Sequence, residues 1–188
     1  MNVLTDAGPP EVAQAPPDPD DIGAVFDRYA RDLLRYATRR VGEQAAEDVV
    51  AQTFLTAYEQ RHRFDPDRGE LLPWLYGICT NLLRRQRRTE LRHLRALAAA
   101  AGAHPEHVDG PDARGSERVD AQRSVARVAH ALAALPRRQR DVLLLFAVAE
   151  LEYAEIAAAL GIPLGSVQSA LHRARTRIKK ALAAGGTR

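Results

Sequence analysis

Residues Tyr153–Arg175 read YAEIAAALGIPLGSVQSALHRAR, and this stretch decides the fold of the C-terminal part of the chain. Ile156, Ala157 and Leu160 recur at helical spacing. Gly161 can take the left-handed conformation that ends a helix. Pro163 suits the first turn of the next one. In that second helix Val167, Leu171, Ala174 and Ile178 form one apolar stripe, while Ser169, His172, Arg173, Thr176, Lys179 and Lys180 fall opposite. The pattern predicts a helix-turn-helix that keeps its stripe in the core and offers a cationic, hydrogen-bonding face to the major groove of DNA. A solvated amphipathic helix would share this periodicity, so the rest of the chain must separate the two readings.

Composition predicts an all-α protein. Aromatics make up 5% of the 188 residues, and Ala, Leu, Arg and Glu dominate. The net charge of +3 is unevenly placed. The acids of the first 21 residues have no Lys or Arg among them, whereas residues 22–95 and 127–188 are each basic, with an acidic stretch between. Two basic blocks suggest two modules that each touch a polyanion. The single cysteine, Cys79, cannot form an internal disulfide and fits a reducing cytosol. It sits beside Ile78 in an apolar stripe, so it is expected to be a buried structural thiol. The longest apolar run, Val142–Ala149, is far short of the roughly 20 residues that cross a bilayer. The N-terminus is acidic and Pro-rich, unlike a signal peptide. A cytoplasmic protein without membrane insertion is expected.

Residues 1–20 carry five of the eleven prolines and no helical period, and are expected to form a disordered tail. Residues 21–95 should form the first helical domain. Asp20 or Asp21 can cap a helix with Ile22, Val25, Phe26, Tyr29, Leu33 and Tyr36 inward, broken at Gly42. A second helix should run from about Glu43 to Arg61, with Ala46, Val49, Val50, Thr53 and Ala57 inward. The turn-rich Phe64–Gly69 loop leads to a third, from near Leu72 past Arg88, with Leu71, Leu75, Ile78 and Leu82 inward. Residues 96–123, where an alanine run gives way to glycines and prolines among acids, read as a flexible linker. Residues 124–184 should form the second domain and 185–188 a tail. His104 and His107 lie in the linker without a third ligand, so no metal or cofactor is expected.

The third helix has a second face. Trp74, Gly77, Thr80, Asn81, Arg84, Arg85 and Arg88 cluster on one side, and Arg92 prolongs the row. Such a cationic strip suits a phosphate backbone. Asn81 could read a base edge, and Gly77 leaves room for a nucleotide. Trp74 is expected in the core. The preceding helix presents Glu47, Asp48, Gln52, Phe54, Leu55 and Tyr58 outward. Aromatics edged by acids mark a protein-binding face, although Phe54 and Tyr58 could equally widen the core stripe.

The order of these parts is similar to a known family. AEDVVAQTFLTAYEQRHRFDPDRGELLPWLYGICTNLLRRQRR resembles region 2 of the extracytoplasmic-function (ECF) sigma factors of the sigma-70 family. ALAALPRRQRDVLLLFAVAELEYAEIAAALGIPLGSVQSALHRARTRIKKAL resembles their region 4. The resemblance implies a bacterial transcription initiation factor that binds core RNA polymerase at the β′ clamp and the β flap, and promoter DNA. It implies clamp contacts from Asp48, Gln52, Phe54, Leu55 and Tyr58. For the melted −10 element it implies Phe64, Asp65, Arg68, Asn81, Arg84, Arg85 and Arg88. For the −35 element it implies Ser166, Gln168, Ser169, His172, Arg173 and Thr176. The family commonly has a basic residue where Gln168 stands and an arginine where Ala170 stands, so the −35 preference is expected to differ; Gln can pair with adenine. The absence of an appended regulatory domain points to a separate anti-sigma factor. The expected location is the cytoplasm, on the nucleoid when active.

No phosphate-cradling glycine loop or nucleophile constellation is present, so the chain is not expected to be an enzyme. A recombinase with a C-terminal helix-turn-helix therefore fits poorly. A stand-alone helix-turn-helix regulator is the alternative; it would bind its operator as a symmetric dimer, and the first domain has no heptad seam for one.

Overall fold

The computed structural model describes residues 16–102 and 113–184. They form eight α-helices in chain order: α1 (Ile22–Val41), α2 (Glu43–Glu59), α3 (Leu71–Arg85), α4 (Arg87–Gly102), α5 (Ala113–Ala134), α6 (Arg137–Ala147), α7 (Tyr153–Leu160) and α8 (Leu164–Ala184). Short 3-10 turns at Arg61–Arg63 and Pro66–Arg68 fill the connection between α2 and α3.

Local chemistry sets the ends. The Asp21 carboxylate accepts from the Ala24 N–H at 3.0 Å and caps α1. Gly42 ends it at φ 85°, a left-handed value, and donates to the Thr38 carbonyl. At the start of α7 the Glu152 N–H donates to the Glu155 carboxylate at 2.6 Å, half of a reciprocal capping box. Gly161 closes α7 in the left-handed region at φ 61° and ψ 42°, and the next N–H reaches back to the Ala157 carbonyl. No single helix among the described residues is long and apolar enough to cross a membrane.

Helices α1 to α4 make one bundle and α5 to α8 another, but the two share one core. Leu33, Tyr36, Leu75 and Leu83 of the first are buried together with Val142, Leu145, Ile156 and Leu171 of the second. Helix α4 lies along α5, and α3 packs on α7.

This corrects the expected organisation in two respects. The segment read as a flexible linker, 96–123, is helical over most of its length, because Ala96–Ala101 are strong helix formers that extend α4. Residues 103–112, with His104 and His107, lie outside the described residues, as do most of the N-terminal tail and 185–188. The third helix is also not continuous past Arg88. It breaks at Gln86 (ψ 24°), and the new direction of α4 turns Glu90 inward.

Candidate nucleic-acid and polymerase interfaces

Helices α7 and α8 meet at a bend of 106°, within the helix-turn-helix range. On α8, Val167, Leu171 and Ala174 are buried, which fixes the helix rotation. Gln168, Ser169, His172, Arg173 and Thr176 are consequently exposed on the other side. Ser166 is half-buried near the start of the helix. The Thr176 hydroxyl donates to the His172 carbonyl at 3.0 Å, leaving its lone pairs outward. Ala170 is 1% exposed and faces the core, so the expectation that a longer side chain there would contact DNA does not hold in this packing.

Helix α3 is less free than its sequence implies. Arg85 and Arg88 are exposed, as is Asn81, whose Oδ1 accepts from Arg84 at 2.9 Å. Arg84 points elsewhere as well: its Nε donates to the Asp141 carboxylate of α6 at 2.9 Å. Gly77 and Thr80, read as part of the open face, are buried. The room beside Gly77 is filled by the backbone of α7, where an added Cβ would run into the Ala159 carbonyl. Thr80 hydrogen-bonds the Tyr36 hydroxyl at 3.0 Å. Trp74 is half-buried and meets the Phe64 ring at 5.5 Å. That pair and exposed Asp65 border a cleft of about 450 Å³ whose far wall is Ala154, Glu155 and Ala158 of α7. The backbone of Arg68 lies in the second 3-10 turn, and its side chain lies outside the described residues.

On α2, Asp48, Gln52, Leu55 and Tyr58 are exposed. Gln52 donates weakly to Thr56 at 3.3 Å, and the Arg61 guanidinium covers the Tyr58 ring at 4.3 Å. Phe54 is corrected: it is 4% exposed and belongs to the core. Its ring meets Phe26 of α1 at 4.9 Å, and Phe26, expected inside, is 47% exposed. The two residues exchange roles because Phe26 lies at the edge of the α1 stripe, where α2 covers only one side of the ring. The exposed large apolar side chains of α1 and α2 are therefore Phe26, Leu55 and Tyr58.

Between the bundles lies a chain of alternating charges absent from the sequence reading. Arg40 of α1 donates to Glu90 of α4 at 2.7 Å and to Asp141 of α6 at 2.7 Å. Arg140 of α6 donates to the other Glu90 oxygen at 2.9 Å and to the Leu132 and Leu135 carbonyls, capping α5. All four charged side chains are 1% exposed or less. Burial would lower the Arg40 pKa, but the Tyr36 oxygen and the two carboxylates outweigh it and hold the guanidinium above its ordinary value. Burial pushes Tyr36 up to about 12 and the Cys79 thiol up to about 12. Cys79 is a buried free thiol, as expected. One sequence signal could have found Arg40: it continues the Leu33–Tyr36 stripe by one turn, a charge at a core position.

Residues 25–93 match the sigma-70 region 2 family and residues 126–178 match sigma-70 region 4. The ECF RNA polymerase sigma factor SigC of Mycobacterium tuberculosis is 32% identical over 157 residues, covering 82% of this chain and 79% of that one. Among solved structures, the sigma factor RpoE in complex with the anti-sigma factor NepR from Bartonella quintana superposes with a TM-score of 0.58 at 25% identity, over 90% of this chain and 99% of that one. CnrH in complex with the cytosolic domain of CnrY gives 0.61 at 27% identity, over 87% and 88%. Two family regions in the right order, on two bundles that present a helix-turn-helix and an arginine-lined helix, lead to one assignment: the chain belongs to the ECF RNA polymerase sigma factors of the sigma-70 family.

Proposed function

We propose that α8 reads the −35 element, that Asn81, Arg84, Arg85 and Arg88 with the Phe64–Glu70 loop hold the −10 element as it melts, and that the outer face of α2 docks on the β′ clamp. As an ECF sigma factor the chain binds core RNA polymerase and directs it to promoters. The observation that carries the residue assignment is the division of α8, with Val167, Leu171 and Ala174 buried and Gln168, Ser169, His172 and Arg173 exposed along one face. Those exposed groups supply donors, acceptors and a cation at major-groove spacing.

Melting is binding-driven in this reading. The chain is a binding protein rather than an enzyme, and it favours open DNA by holding the open form more tightly than the duplex. Unstacking a base costs a few kcal/mol, offset by stacking, hydrogen bonds and phosphate neutralisation. The Phe64–Trp74 pair is an aromatic platform at the start of α3 that suits such a base. Exposed Phe26, Leu55 and Tyr58, together with polar Asp48 and Gln52, supply the anchor for polymerase. We also assign an anti-sigma protein as the inhibitor, because the sigma factor RpoE, a structural neighbour, was solved with the anti-sigma factor NepR. The cytoplasm, where polymerase acts, is the proposed location.

The test separates docking from opening. Asn81→Ala should reduce permanganate reactivity of −10 thymines by about tenfold, the loss of one good base contact, while co-elution with core polymerase stays unchanged. Parallel loss of both would remove Asn81 from the −10 site.

A further inference from the structure

The first nine residues of α8, Leu164–His172, carry no Lys or Arg, and all five cations of the helix, Arg173, Arg175, Arg177, Lys179 and Lys180, come after them. The two halves suit two kinds of DNA contact. Phosphates are held by cations and carry no sequence information, whereas bases are read by matched donors and acceptors. A recognition helix brings its N-terminal residues to the base edges. In the neutral half, burial of Val167, Ala170 and Leu171 leaves Gln168, Ser169 and His172 as the exposed polar side chains, with Ser166 half-buried. Their capacities differ. A serine hydroxyl serves any base. The two ring nitrogens of His172 point to different sides of the imidazole, so it meets one base-edge atom at a time. The Gln168 carboxamide sets a donor and an acceptor side by side. Among the described residues it has no hydrogen-bond partner to hold it back from DNA. Two neighbours further along are already engaged: the Thr176 hydroxyl donates to the His172 carbonyl, and the Arg175 guanidinium lies over the Phe146 ring at 4.7 Å.

We propose that Gln168 is the residue through which this chain selects an adenine in the −35 element, and that the cations after it hold phosphates without choosing sequence. The carboxamide N–H donates to adenine N7, and its oxygen accepts from the adenine N6 amino group. Guanine presents two acceptors along the same edge, so the carboxamide oxygen would face O6 and find no donor there. The choice of base thus follows from the order of donor and acceptor on one side chain, not from its charge. An arginine at this position would invert the choice, because its paired donors match guanine N7 and O6. The inference rests on the assignment of α8 to the −35 element, and adds the base that is read and the side chain that reads it.

The test uses holoenzyme reconstituted from purified bacterial core polymerase and the full chain, selecting from a pool of randomised promoter duplexes. The native chain should retain an adenine in the upstream element whose replacement weakens binding about tenfold. Gln168→Ala should lose the preference at that base pair and at no other. Gln168→Arg should take guanine there, a gain that misfolding does not produce. Placing 7-deazaadenine at the same position removes the N7 acceptor; it should weaken the native complex about tenfold and make no difference to Gln168→Ala. The salt slope should stay native in Gln168→Ala, and the base choice should stay native in Arg173→Ala. Three results would overturn the proposal: a native base choice throughout in Gln168→Ala, a preference lost evenly over all positions, or a native complex indifferent to 7-deazaadenine. If Arg173→Ala then still weakens binding, α8 remains the −35 reader and only the role of Gln168 falls. If neither variant alters binding, the −35 assignment falls with it.

Discussion

Glu90 shows how one side chain joins distant parts of the chain. Its two oxygens take Arg40 and Arg140 at 2.7 and 2.9 Å inside a core that excludes water. Removing it leaves two buried guanidinium groups short of a partner. Glu90→Ala should destabilise the chain by about 3–5 kcal/mol, read as a drop in denaturant midpoint, with a smaller loss for Glu90→Gln. Tyr36 and Cys79 give a second prediction. Burial raises both, each to about 12, from 10.0 and 9.0. The fold therefore keeps protons that the unfolded chain releases, so stability is undiminished below about pH 9 and falls from there towards pH 12. Alkaline unfolding followed by circular dichroism should show that decline, and Cys79 should react with a thiol reagent at pH 8 only after unfolding. Of these buried charges only Arg40 left a signal in the sequence, a charge one turn beyond Leu33–Tyr36 on the α1 stripe; its partners did not. An arginine on a helix stripe reads as solvated until another element brings it a carboxylate, and Arg40 and Asp141 are far apart in sequence.

At the scale of elements, the sequence is most informative where local chemistry decides. Asp21 and Gly42 bound α1, and Gly161 turns the chain between α7 and α8, as read from the residues themselves. Position 161 needs φ 61°, so Gly161→Ala should cost about 1 kcal/mol and weaken −35 binding without touching DNA; a thermal melt and a duplex titration measure the two. Arg173 belongs to the exposed face of α8. Arg173→Ala should weaken −35 duplex binding and, where it meets a phosphate, lower the salt slope by about 1. A variant with native affinity and slope would take Arg173 out of the interface. Sequence fails where tertiary context decides. The alanine run after Arg95 reads as linker from its downstream glycines and prolines, yet Ala96–Ala101 extend α4 once α5 is there to pack on. Phe54 and Phe26 exchange places for a similar reason: both lie at stripe edges, and only the neighbouring helix selects which ring is covered.

For the molecule as a whole, two modules were legible but their mutual embrace was not. Charge blocks and motif order identify two polyanion-binding bundles, whereas the shared core depends on contacts between α3 and α7 and between α4 and α5 that no periodicity announces. The central claim is that this chain gives core polymerase its promoter choice. Run-off transcription from a library of genomic fragments, with purified bacterial core polymerase and the full chain, tests it most directly. The account predicts transcripts that start a fixed distance downstream of one shared pair of elements, and that disappear when the chain is left out. Start sites that are unchanged by adding the chain, with no binding of the chain to core polymerase, would contradict it.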